Sequence, residues 1–174
     1  MAGSSTSSFR VVASHRTPKE ACALPVSPAY ERWTVAERRA HPALAPARSL
    51  SARLAAVAAA SPSAPLSFAA VRVLGPCASA DALADALEPV AEALARTLSP
   101  FDFAGMIDAR TVGVILQGRG AVSAGRFERR LRDELRESMR GLRPWRYEVS
   151  VATGVGSQAD VLALAACDAL PDAG

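Results

Sequence analysis

The sequence predicts an α/β (α+β) domain with a ferredoxin-like βαββαβ core, an antiparallel sheet with helices on one face, preceded by a mostly irregular N-terminal tail. Two observations carry this. From residue 65 onward the apolar period switches between that of strands and that of helices in the order β-α-β-β-α-β-α. Between two short apolar runs the chain has only Asp108-Ala109-Arg110, a tight turn that makes them a hairpin.

Along the chain, 1–48 is a basic tail rich in Pro, Ser and Ala, 49–62 a short linker helix, and 65–171 the domain. Pro18, Pro25, Pro28, Pro42 and Pro46 break any long helix in the tail, which is expected to be flexible. Tyr30 and Trp33 are its aromatic exceptions, either a docking motif or residues that pack on the domain. Ser49 is placed to cap the linker helix, and Leu50, Leu54 and Val57 make its apolar stripe. Residues 66–74 are apolar on both faces, as in a central strand. Residues 79–98 repeat Leu83, Leu87, Val90, Ala91, Leu94 and Leu98 at helical spacing. Pro89 falls inside this helix; an internal proline costs about 3 kcal/mol, so a bend or restart is expected there. The hairpin pairs 103–107 with 111–117. Phe127, Leu131, Leu135 and Leu142 mark a helix over 123–141 that Gly141 can end. A strand over 146–153, a loop at Gly154-Val155-Gly156 and a helix over 158–170 complete the domain.

Composition narrows the function classes. Half of the 174 residues are hydrophobic but only 5% are aromatic, so the core must come from Leu, Val and Ala. The net charge of +3 argues for neither nucleic acid nor a membrane surface. Its distribution is uneven: 1–64 hold eight Lys/Arg against three Asp/Glu, and 65–174 twelve against fourteen. Cys22, Cys77 and Cys167 have no C-x-x-C spacing and an odd count, which suits neither a disulfide framework nor zinc. Met1 to Ser8 lacks a signal-peptide pattern, and the Ala-rich run near 54–60 is too short to cross a membrane. A cytoplasmic protein is expected.

The residues also carry a resemblance. Leu87-Glu88-Pro89-Val90-Ala91-Glu92-Ala93-Leu94, ending at Asp102, resembles the first long helix of GGDEF (diguanylate cyclase) domains, with its Leu, Val-Ala and Leu positions and its closing Arg-x-x-Asp. Gly113-Val114-Ile115-Leu116-Gln117-Gly118 resembles the family's Ala-Val-Leu-Leu-Pro-Gly strand. Val149-Ser150-Val151 looks like its Thr-Val-Ser-Ile-Gly strand, and Cys167-Asp168-Ala169-Leu170 like the end of its last helix. Order and spacing agree from Pro65 to Leu170.

That resemblance implies a domain with the catalytic parts removed. The family joins two GTP molecules using divalent metal, which needs hard carboxylate oxygens. Its first-strand carboxylates fall on Arg72 and Leu74, and its Gly-Gly-Asp/Glu-Glu-Phe signature on Asp108-Ala109-Arg110-Thr111-Val112. The segment that contacts guanine has no counterpart between Leu74 and Leu87. The inhibitory Arg-x-x-Asp site for cyclic di-GMP falls on Ser99 and Asp102, so its arginine is missing; Arg96, a turn earlier, either substitutes or is a solvated helix residue. The expected protein is therefore no enzyme, binds no cofactor or metal, and serves as a regulatory or protein-interaction module in bacterial signalling, with a protein partner or a second copy of itself. The alternative is an effector that binds guanine nucleotide or cyclic di-GMP without metal, through Arg72, Arg110 or Arg96.

Three other patterns point to ordinary structure. The arginines from Arg126 to Arg146 alternate with acids that can pair with them on a solvated face, the sharper reading being an anion-binding face. Trp145 either packs at a strand start or stacks on a base. His15 and His41 lie in the tail, away from any site in the domain.

Overall fold

The computed structural model describes residues 44–76, 79–138, 140 and 145–171. Its elements are α1 (Ala47–Ala60), β1 (Pro65–Leu74), α2 (Ala80–Thr97), β2 (Phe103–Met106), β3 (Thr111–Gln117), α3 (Ala121–Ser138), β4 (Arg146–Val155), a 3-10 turn (Gly156–Gln158) and α4 (Ala159–Asp168). The four strands form one antiparallel sheet in the order β2-β3-β1-β4. This is the βαββαβ arrangement the sequence predicts. Tyr30, Trp33, His15, His41, Cys22, Cys77, Gly141 and Leu142 lie outside the described residues.

Helices cover both faces of the sheet, not one as expected from the pattern. Side chains alternate across a strand. Ala69, Val71 and Val73 of β1 therefore pack with α2 and α3, while Leu66, Phe68 and Ala70 pack with α1 and α4. The expectation followed the six core elements alone and left the flanking helices without a place. Each has an apolar stripe that is stable only when buried: Leu50, Leu54 and Val57 on α1; Ala159, Leu162 and Ala166 on α4. Burying a large aliphatic or aromatic side chain contributes about 1.5–3 kcal/mol.

The start of the folded unit lies earlier than residue 49. Leu44 is buried, and Ala45 bridges to Gly105 on the outer strand β2. The Ala45 N–H donates to the Ala104 carbonyl (3.2 Å), and the Met106 N–H donates to the Ala45 carbonyl (2.8 Å). This strap covers an edge that would otherwise offer unpaired backbone groups. It passes so close that a Cβ on Gly105 would lie 2.8 Å from the Ala45 carbonyl oxygen. Gly105→Ala is therefore expected to push the strap off the edge and cost about 1–3 kcal/mol, read from urea denaturation.

Local chemistry explains the other differences. Helix α1 begins at Ala47 with Pro46 as its N-cap and no side-chain cap; the Ser49 N–H donates to the Pro46 carbonyl, so Ser49 sits inside the first turn. Helix α2 runs through Pro89 without a restart, because Pro89, Val90 and Ala91 are buried on its packed face. Its N-cap is Ser79, whose hydroxyl accepts from the Ala82 N–H. Strand β4 extends through Gly154 and Val155, which the sequence reading placed in a loop.

Candidate functional site

Two corners of the domain carry the residues singled out from sequence. The first lies where β1 ends beside the β2–β3 turn. Arg72 pairs across the sheet with Thr111 on β3 and with Glu148 on β4. Its Nε donates to Thr111 Oγ1 (3.2 Å) and its Nη1 to the Pro171 carbonyl (2.8 Å). Arg110 reaches back to β1: its Nη1 donates to the Gly75 carbonyl (3.0 Å), and its own carbonyl accepts from the Val73 N–H (2.9 Å). Asp108 folds the turn by accepting from the Arg110 N–H at 2.8 Å. Thr111 is fully buried as the first residue of β3, Leu74 and Ala109 are half-buried, and Ala109 packs against the core.

These residues do not suit a divalent metal. Two guanidinium groups stand at the corner, and both are committed to protein oxygens. The two carboxylates nearest in register, Asp108 and Glu148, come from opposite sides of β1. Among the described residues, no group of three or more His, Cys, Asp or Glu side chains is placed to hold a metal ion.

Cys167 of α4 also lies at this corner. Burial pushes its thiol up to about 11, with Arg72 pulling down and Asp108 and Asp168 pushing up. The group is a neutral thiol at pH 7, which makes it a poor nucleophile. On β4, Tyr147 donates its hydroxyl to the Ala86 carbonyl (2.5 Å), and burial raises it to about 12. Both shifts favour the protonated form in the folded state. The stabilisation they represent is complete below the unfolded values of 9.0 and 10.0 and is lost as pH rises toward 11 and 12. The melting temperature is expected to fall progressively from about pH 9 to pH 12, and Tyr147→Phe to flatten the upper part of that fall.

The second corner surrounds Asp102. Its side chain is fully buried. Asp102 Oδ2 accepts from the Ser99 N–H (2.8 Å) and from Ser99 Oγ (2.8 Å), and it also pairs with Arg119. Oδ1 has no partner. The Arg119 guanidinium stacks over the Phe127 ring, 5.5 Å from its centroid, and its carbonyl accepts from Ser67 Oγ (2.6 Å). Beside this pair a cavity of about 350 Å³ is lined by Ser99, Arg119, Ser123, Arg126, Phe127 and Arg130, among others.

The sequence reading missed Arg119. It looked for the arginine three residues before Asp102 or one turn earlier, at Ser99 or Arg96. Arg96 faces elsewhere: its Nε donates to Glu134 (2.8 Å) and its Nη2 to Ser138 (2.7 Å), both on α3. The signal was in the hairpin register. Phe103 pairs with Ile115, so the chain leaving β3 returns past Asp102 within a few residues. Trp145, the other open residue, packs against the core.

No protein-family model matches the chain, and no curated protein matches its sequence. Solved structures do resemble it. A DGC protein from Thermotoga maritima has a TM-score of 0.55 at 16% identity, over 74% of this chain and 96% of that one. The FimX GGDEF domain from Pseudomonas aeruginosa has a TM-score of 0.51 at 11% identity, over 75% of this chain and 91% of that one. The fold is that of a GGDEF domain. A third similar structure is the diguanylate cyclase SiaD in complex with its activator SiaC, from Pseudomonas aeruginosa, with a TM-score of 0.50 at 18% identity over 79% of this chain and 60% of that one. Within this GGDEF-like fold, the Arg72 corner and the Asp102 corner lie at opposite ends of β2. No helix among the described residues is long and apolar enough to cross a membrane.

Proposed function

We propose that this GGDEF-like domain is a non-catalytic regulatory or protein-interaction module in cyclic di-GMP signalling. One observation carries the reading: Arg72 and Arg110 stand at the corner where resemblance places the metal carboxylates, and both are tied into the domain's own hydrogen bonds. A guanidinium repels a divalent cation, and no in-line phosphoryl displacement proceeds here without one. Protein partnering fits the same picture; among the similar structures, SiaD is in complex with its activator SiaC. Pure protein incubated with GTP and magnesium is expected to yield no dinucleotide; turnover above a no-protein control overturns the reading.

A second reading, a metal-independent receptor for cyclic di-GMP or guanine nucleotide, draws support from the cavity beside Asp102. Its arginines differ in availability. Arg119 is committed to Asp102, and Arg130 donates through Nη2 to the Arg96 carbonyl (2.7 Å). Arg126 is exposed on the cavity wall. Phosphate and the guanine edge both suit such a fork of donors. Calorimetry with cyclic di-GMP and with GTP, with and without magnesium, separates the readings. Magnesium-independent binding lost in Arg126→Ala favours the receptor; absence of binding leaves the protein-interaction module.

A further inference from the structure

A second cavity, of about 210 Å³, opens on the other face of the sheet, between α1 and α4. Its walls are apolar, built from Leu50, Leu54, Phe68, Ile107 and Leu164. Leu164 is 52% exposed, so the cavity has an apolar rim that solvent reaches. Two charged residues line it, Arg72 and Asp108. They approach from adjoining places, since Arg72 is the cross-strand partner of Thr111 and the Asp108 N–H donates to the Thr111 carbonyl (3.4 Å).

These opposite charges do not pair with each other. Arg72 spends Nε on Thr111 and Nη1 on Pro171, which leaves Nη2 without a partner among the described residues. The Asp108 carboxylate accepts the turn contact from the Arg110 N–H at Oδ1, which leaves Oδ2 without a partner among the described residues. Cys167 adds a neutral thiol to the lining and no charge. An apolar chamber with one unspent cationic donor and one unspent anionic acceptor at the same end is complementary to a zwitterion with an apolar body. A simple fatty acid would satisfy Arg72 and be repelled by Asp108; an alkylamine would do the reverse. Volume sets the size: a cavity of 150 Å³ holds benzene, so about 210 Å³ suits a side chain the size of leucine or methionine.

We propose that this cavity is a binding site for a free apolar α-amino acid, its carboxylate on Arg72, its ammonium on Asp108, and its side chain among Leu50, Leu54, Phe68 and Ile107. The proposal goes beyond the regulatory reading and does not depend on it: the GTP assay and the amino-acid titration read different sites and fail separately. It gives the domain an input of its own at the corner where a metal does not fit.

Titration of the full chain with L-leucine and L-methionine by calorimetry tests the assignment. Two analogues of leucine then split the charges: 4-methylpentanoate lacks the ammonium and isopentylamine lacks the carboxylate. Each is expected to bind at least about tenfold more weakly than leucine. Arg72→Gln and Asp108→Asn are expected to weaken leucine by a similar factor. Ala163→Leu grows into the cavity from α4 and is expected to abolish binding while the thermal midpoint holds or rises. The analogue series needs no variant, so a misfolded mutant does not rescue the idea. Equal binding of leucine and 4-methylpentanoate overturns the zwitterion assignment. Failure of both amino acids to bind at about 10 mM overturns the site.

Discussion

Arg119→Ala is expected to destabilise the domain by about 3 kcal/mol. The Asp102 carboxylate is fully buried, and Arg119, 23% exposed, is the one cation paired with it among the described residues. Removing one partner of a buried ion pair costs about 3–5 kcal/mol, because the remaining charge keeps its desolvation penalty and loses its compensation. The lower end applies here, since water reaches Arg119 and the two Ser99 bonds to Oδ2 survive. The truncation also removes the guanidinium from the Phe127 ring, a contact worth about 0.5–1 kcal/mol in partly exposed settings. Urea denaturation reads the loss. A cycle with Asp102→Asn isolates the pair: the double variant is expected to recover much of the single-site loss, since an amide needs no counter-charge. A loss below about 1 kcal/mol in Arg119→Ala would show that the pair is a solvated surface contact.

That pair also marks where sequence reasoning stopped. Periodicity located the core helices because each has one dominant face, Leu83, Leu87, Val90 and Leu94 on α2 and Phe127, Leu131 and Leu135 on α3, and the central strand because it is apolar on both. The residues of the Arg72 corner were equally easy to name, because they lie in two short segments, the end of β1 and the β2–β3 turn. The partner of Asp102 was not. Arg119 lies seventeen residues away, and only the hairpin register brings it back. Charge content could not find it, since the neighbouring segment is rich in arginines that pair along their own helix, such as Arg132 with Glu128 and Arg136 with Asp133. The boundary at residue 49 moved for a related reason. Leu44 and Ala45 carry no periodic signal; their place on the edge of β2 is a tertiary fact.

Phe68→Ala is expected to cost about 3–5 kcal/mol, and the argument rests on the sheet having two covered faces. In an isolated βαββαβ core with helices on one side, Phe68 would sit with Leu66 and Ala70 on the open face, and truncation there would cost well under 1 kcal/mol. Here Phe68 is 1% exposed, in a cluster with Leu50, Leu54, Ile115 and Leu162 from three other elements. A large-to-small change in such a setting loses the transfer free energy of the ring and leaves a void that the surroundings fill only in part. The site is poorly able to collapse. Gly113, the cross-sheet neighbour against which the ring lies, has no side chain to move inward, and a Cβ there would stand 2.7 Å from Phe68 Cζ. The void also joins the cavity between α1 and α4, so those two helices lose the largest side chain that holds them to the sheet. Amide exchange therefore distinguishes the mechanism from a general loss of stability. In Phe68→Ala the protection of α1 and α4 should fall well before that of α2 and α3, which pack on the opposite face through Val71 and Val73. If all four helices lose protection together, the two faces form one cooperative unit, and the flanking helices belong to the core as fully as the βαββαβ elements do.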